Sequence, residues 1–275
     1  MVSMKYALIN GSKAEATKGE KGLCPSCNSE VIARCGEVKV NHWAHIGNRN
    51  CDPWWENETE WHRSWKDKFP VEWQEIVHYA ENGEKHIADV KTQTGYVLEF
   101  QHSFLNPEER GSRNKFYSEL VWVVDGNRRK TDKKQFKKVI EESDALNKES
   151  TILRVCFPEE CRLIKEWQDK NALVFFDFQE TTESNQSRLW FLFPEITTSE
   201  AYLSYLSKQK FIELHNENKF EELVRNNILP IHNKLLEETQ SCHKISSNYG
   251  NPNNLSGFDR FESNRQIRQR SFNRL

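Results

Sequence analysis

His86-Ile-Ala-Asp-Val-Lys-Thr92, Gln93-Thr-Gly95 and Tyr96-Val-Leu-Glu-Phe-Gln101 run consecutively, two strand-length segments around a three-residue turn. β-Branched and aromatic residues alternate with polar ones on either side of a Gly, the pattern of a hairpin. A strand repeats every two residues, so Glu99 and Gln101 share a face, and the tight turn brings Asp89 to a neighbouring position on it. Working upstream, Trp73–Tyr79 reads as a further strand, joined through the turn Glu81-Asn82-Gly83-Glu84, which makes a meander. Before it, Asn57 can cap a helix running to Phe69, with Glu58 and Glu60 in the first turn and Lys66 and Lys68 in the last, as the helix dipole favours. Downstream, Asn106-Pro107-Glu108-Glu109 opens a helix that continues to Glu119, and the apolar run Leu120–Val124 is a buried strand stopped by Asp125-Gly126. The order is αβββαβ.

Further along, Pro158–Lys170 reads as a helix, Leu173–Phe178 and Leu189–Phe193 as strands, and Thr198–Leu214 as an amphipathic helix. Shifts in composition divide the chain into a Cys-rich segment (1–55), the αβββαβ segment (56–145), an α/β extension packed on it (146–215) and a polar, partly disordered tail (216–275). The fold class is therefore α/β (α+β). With 275 residues, 36% of them apolar, there is length and surface for a real core. The longest apolar run, Leu120–Val124, is far short of the roughly 18 residues of a membrane span, and the start lacks a signal-peptide pattern. A cytoplasmic setting is expected, in which seven cysteines stay reduced and free to bind metal.

Cys24-Pro25-Ser26-Cys27 sets two thiols at a spacing that lets a tight turn aim both sulfurs at one ion. His42-Trp43-Ala44-His45 and Cys51 supply the other half of a tetrahedral site, and Cys24, Cys27, His45 and Cys51 are the expected ligands of a structural zinc. Cys35 and His42 are reserves, the exchange most open being His42 for His45. So short a segment with so few apolar residues has little else to fold around, and structural zinc can contribute on the order of 10 kcal/mol.

Asp89 and Glu99 on neighbouring strands are the acids for a second, hard cation. Paired strand carboxylates bind magnesium or manganese, which can hold a phosphodiester and lower the pKa of a bound water. Glu58, His62 and Lys66 stand at four-residue spacing along one side of the first helix, with Glu60 about 200° away from Glu58. Spacing favours Glu58 as the helix acid of the site, and Glu60 stays open. Arg110 and Arg113 follow on the next helix. Net charge is −2, yet Gly126–Lys138 holds seven basic residues against one acid, a local surface for phosphate.

Taken together, Cys24-Pro-Ser-Cys27, His42-Trp-Ala-His45, Glu58-Thr-Glu-Trp-His62 with Lys66, Ala88-Asp89-Val90, Glu99-Phe-Gln-His-Ser103 and Val121-Trp-Val-Val-Asp-Gly126 resemble the competence protein CoiA-like family over roughly residues 20–126. That family is similar to the PD-(D/E)XK nucleases, so the resemblance implies a restriction-endonuclease-like core, a zinc segment before it that grips nucleic acid or a protein partner, and Asp89 and Glu99 as metal-binding acids beside a helix acid. Gln101 stands where the superfamily more often has Lys. A neutral amide orients water without supplying a cation, so His62, Lys66 or His102 must assist, or the metal acts alone.

The expected function is that of a magnesium- or manganese-dependent endonuclease acting on DNA, in DNA processing or defence against foreign DNA. Its catalytic set would be Asp89, Glu99, Gln101, Glu58 or Glu60, His62 and Lys66. The alternative is a non-catalytic, zinc-containing nucleic-acid-binding protein. RNA as substrate and assembly into a homo-oligomer are left open. Trp54, Trp55, Trp61, Trp65 and Trp73 could stack on unpaired bases but read first as core residues.

Overall fold

Short segments with few apolar side chains build a first sheet: β1 (Ser3–Met4), β2 (Tyr6–Ile9), β3 (Ser12–Glu15), β4 (Lys21–Leu23), β5 (Glu30–Arg34) and β6 (His42–His45). These strands come from a computed structural model that describes residues 3–47, 51–52, 54, 58–81, 83–146, 151–168, 172–181 and 187–248. Their order is β1-β6-β5-β4-β2-β3, antiparallel throughout. The core beneath is small: Met4, Ala7, Ala16, Cys24, Val31 and Trp43, with Cys27, Cys35 and Cys51 packed against it.

The next elements are α1 (Glu60–Lys66), β7 (Gln74–Tyr79), β8 (Lys85–Lys91), β9 (Val97–Gln101), α2 (Pro107–Phe116) and β10 (Leu120–Asp125). Helix α1 is shorter than the expected span, whose cap Asn57 lies outside the described residues. Thr59 caps it instead, its hydroxyl accepting from the His62 N–H at 3.2 Å. The helix stops at Lys66, ahead of Phe69-Pro70, where the residue before proline disfavours α backbone. Helix α2 starts at Pro107 behind the Asn106 cap, as its sequence dictates, and ends at Phe116, earlier than Glu119. Strand β10 is buried along its whole length.

The remaining elements are α3 (Asp132–Glu141), β11 (Asp144–Ala145), β12 (Leu153–Val155), α4 (Arg162–Trp167), β13 (Leu173–Thr181), β14 (Ser187–Leu192), β15 (Ala201–Ser207), α5 (Lys208–Asn216), α6 (Phe220–Leu223) and α7 (Leu229–Asn248). Residues 198–214 were expected to be one helix. Instead Ala201–Ser207 is a strand between β12 and β14, and Ser207 turns the chain into α5 by accepting from the Lys210 N–H at 3.0 Å. Tyr202, Leu203, Tyr205 and Leu206 are spaced as a helical stripe, and the pairing partners override it.

A nine-stranded sheet results, in the order β11-β12-β15-β14-β13-β10-β9-β8-β7. β9, β10 and β13 run parallel as neighbours, and the flanking pairs are antiparallel. Strands of segment 146–215 therefore extend the sheet begun by the meander. Trp122, Trp167, Phe176 and Leu203 lie in the core on one side of it. Trp65 is in ring contact with both Phe100 and Phe211 in a second cluster, which α1 and α5 cover. Residues through Asn233 form one unit and Lys234–Leu275 another, whose described part is helical. Among the described residues, no helix is long and apolar enough to cross a membrane.

Candidate metal centre and acidic pocket

The turn after β4 folds Cys24-Pro-Ser-Cys27 back on itself: Asn28 N–H donates to Cys24 O at 2.9 Å, and Asn28 takes the left-handed φ of 57° that closes the loop. Strand β6 carries His45 alongside, and Cys51 arrives from the connection to α1. One donor atom from each of Cys24, Cys27, His45 and Cys51 lies within 4.8 Å of the others, and the group could hold a metal ion. Zinc bonded to sulfur at about 2.3 Å in a tetrahedron sets edges of roughly 3.8 Å, and Cys24 Sγ and Cys51 Sγ are 3.7 Å apart. Cys27 Sγ and His45 Nε2 are 3.2 Å apart. The donor set and its spacing fit zinc.

The contact with Cys51 pushes the Cys24 thiol down to about 5, and the same contact together with burial pushes Cys51 up. Cys35 and His42 stand apart from the cluster. Cys35 Sγ turns to Ala16 O at 3.5 Å and His42 Nδ1 to Val40 O at 2.9 Å. Alternation along β6 is what separates the two histidines.

The second feature is a pocket lined by Trp54, Glu58, His62, Lys66, Ile87, Asp89, Glu99, Phe100, Gln101 and Arg113. It thus gathers six of the seven residues expected of the catalytic set. Glu60 is exposed on the first turn of α1 and is not among them. The pocket lies where β8 and β9 part. Their pairing covers Val90 with Leu98 and Lys91 with Val97, and beyond it the Phe100 N–H donates to Asp89 Oδ2 at 2.9 Å, a side chain standing in for a ladder carbonyl.

Asp89 leans toward α1, with His62 Nε2 at 3.9 Å and Lys66 Nζ at 4.0 Å. Glu99 leans toward α2, its Oε2 accepting from Arg113 Nη1 at 3.0 Å. Burial and the neighbouring Asp89 push Glu99 up to about 8 against the pull of Arg113. Glu58 precedes α1 yet reaches Lys66 at 2.6 Å and Arg63 at 2.5 Å. Burial pushes its carboxyl up, but these cations more than offset that and leave it lowered. Lys66 is fully buried; burial pulls its pKa down, and Glu75, Glu58 and Asp89 raise it well above the ordinary lysine value, so it stays charged.

Gln101 is buried in the pocket and donates to Ser103 O at 3.3 Å. His102 is outside it, paired through Nδ1 with the buried Asp125 at 2.7 Å. The basic run after Gly126 is largely engaged in ion pairs. Arg129 meets Asp132 at 2.9 Å and Glu166 at 2.8 Å, Arg128 also meets Glu166, Lys133 meets Glu180 at 3.1 Å and Lys138 meets Glu160 at 2.7 Å. Three of those four acids come from α4, its preceding turn and β13, which local counting of charge does not see. Trp61, Trp65 and Trp73 are core residues, while Trp54 stacks on His86 at 3.2 Å and Trp55 lies outside the described residues. Glu75 and the structural role of Arg113 were not legible: nothing in a strand's polar alternation marks one Glu as buried.

Fold and cluster define a mixed α/β protein with a Cys/His group able to hold a metal such as zinc. Residues 8–53 match the family described as "Competence protein CoiA, N-terminal domain". The match spans all four donors of the cluster, is similar to that family over this part of the chain, and ends before α1, so every pocket residue lies outside it. No curated protein and no solved structure matches the chain.

Proposed function

We propose that the chain is a metal-dependent nuclease that hydrolyses phosphodiester bonds in DNA, built on a restriction-endonuclease-like αβββαβ core. The observation that carries this reading is the meeting of Asp89 and Glu99 in one pocket, where Glu99 Oε1 is buried with no hydrogen-bond partner among the described residues. A buried carboxylate oxygen without a donor, beside a second acid that pushes its pKa up, is the arrangement a hard cation relieves. Asp89 and Glu99 would hold magnesium or manganese. Such an ion, when bound, neutralises phosphate charge and acidifies a coordinated water.

The chain's own groups then have distinct tasks. Lys66, which keeps its proton, supplies fixed positive charge next to Asp89, the charge that Gln101 cannot give from its own position. Gln101 offers an amide to orient water, and His62 braces the outer side of Asp89. Glu58, itself paired with Arg63, holds Lys66 in register with the pocket. The N-terminal match to a competence-protein domain makes DNA the first substrate to assay, and the Cys/His cluster is the part of the chain that would help grip it.

Cleavage of single- and double-stranded DNA and of RNA, with magnesium and manganese in turn, tests the proposal. Divalent-dependent cleavage of DNA is expected, falling to background in Asp89→Ala and Glu99→Ala while both variants keep cooperative melting. Undiminished cleavage in the two variants, or salt-sensitive binding by the wild type without turnover, would falsify it; the second outcome is what a non-catalytic binder gives.

A further inference from the structure

Glu75 lies on β7, does not line the pocket, and is 3% exposed. Its backbone is in the left-handed region at φ 49°, where a residue with a Cβ is strained unless its surroundings hold it. The surroundings do hold it. Its Oε1 accepts the Lys5 N–H at 2.9 Å and Lys66 Nζ at 2.8 Å, and its Oε2 accepts the Tyr6 N–H at 3.0 Å. Two of these donors belong to the chain around β2 of the first sheet and the third to α1.

The register of the meander gives this contact its significance. Gln74 pairs with Val90 and Ile76 with Ala88, which sets Glu75 opposite Asp89. Lys66 Nζ stands between acids, 2.6 Å from Glu58 and 2.8 Å from Glu75 but 4.0 Å from Asp89. Were Glu75 uncharged, the buried ammonium would draw its compensation from Glu58 and Asp89, and Asp89 is an acid on which the cation of the proposed reaction depends. An ammonium and a divalent ion compete for the same oxygens.

We infer that Glu75 is a positioning residue that holds the Lys66 ammonium off Asp89, keeping that carboxylate open to a divalent cation, and that it links this setting to the first sheet through Lys5 and Tyr6. The inference rests on the nuclease reading for the identity of the pocket. Its distinguishing feature is a sign: the damage from losing Glu75 acts through Lys66, so removing Lys66 removes the damage.

Manganese affinity of the full chain, measured by electron paramagnetic resonance on wild type, Glu75→Gln, Lys66→Met and the double variant, reads that sign directly. Glu75→Gln is expected to weaken manganese binding about tenfold, the scale of an outer-shell loss at a metal site. In the Lys66→Met background the same change is expected to cost no more than about twofold. Glu75→Asp, which keeps the charge on a shorter arm, should fall between, and it replaces Glu75→Gln in the same cycle if that variant does not fold. Equal losses in both backgrounds, or wild-type affinity in Glu75→Gln, overturn the inference and leave the nuclease reading standing. A wild type that binds no manganese ends both.

Discussion

His215, on α5, is 1% exposed, and neither ring nitrogen has a hydrogen-bond partner among the described residues. Its ring stacks on Phe220 at 3.9 Å and meets Phe69, Tyr96 and Phe211 edge-on. Burial in this aromatic setting pushes its pKa down to about 3 from an ordinary 6.5. The sign follows from linkage: the unfolded chain takes up a proton below pH 6.5 that the fold refuses, so the stability present above that pH is lost as pH falls toward 3. Between pH 7 and pH 5 the cost is about 2 kcal/mol. His215→Phe removes the titration, and denaturant unfolding of the two proteins should show a gap that widens by about that amount on acidification; parallel curves would count against it. A histidine of this kind is hard to read in a sequence, since only its neighbours from β9's approach, α1's end and α6 make it apolar. Cys24, Cys27, His45 and Cys51 are the opposite case. Metal-ligand spacing is local, so all four were legible, and only the choice between His42 and His45 needed the strand's orientation.

Strand β10 ends at Asp125 against β13, and Gly126 carries the contact: its N–H donates to Asp177 O at 2.9 Å. A Cβ at Gly126 would meet the Phe178 ring at 2.5 Å. Phe178 is buried and packed on Phe136 at 4.5 Å, so it cannot swing away freely. Gly126→Ala is expected to cost about 1–3 kcal/mol by overpacking. At roughly 2–4 °C per kcal/mol for a chain of this size, thermal melting resolves that loss, and an unshifted Tm would show the ring to be free to move. Sequence gave Asp125-Gly126 as a strand stop without giving the reason, which is the close approach of a ring from more than fifty residues on. The same division holds for other elements. The meander, α2 and β10 were legible because alternation, a Pro-led cap and an unbroken apolar run are local signals. Strand β15 was misread as helix because Tyr202, Leu203, Tyr205 and Leu206 are spaced as a helical stripe, and pairing with β12 and β14 on either side overrides that signal.

Both sheets lie within residues through Asn233, but they are stabilised differently. The nine-stranded sheet buries Trp122, Trp167, Phe175, Phe176 and Phe211, each almost fully, enough apolar surface to sustain itself by burial. The six-stranded sheet has a small core built on Met4, Val31 and Trp43, with Ile9 and three thiols of the cluster packed among alanines. A core that small does not offset the chain entropy of ordering six short strands, and a metal ion held by Cys24, Cys27, His45 and Cys51 would close the difference. Chelation should therefore loosen the molecule unevenly. Hydrogen exchange after exhaustive removal of metal is expected to accelerate across residues 12–47, while β9, β10 and β13 keep their protection. Lys5 and Tyr6 should respond less than the rest of the first sheet, because Glu75 fastens their N–H groups to β7 independently of the cluster. Uniform acceleration over both sheets would mean one cooperative unit, and no acceleration anywhere would mean that the four donors contribute nothing to the fold.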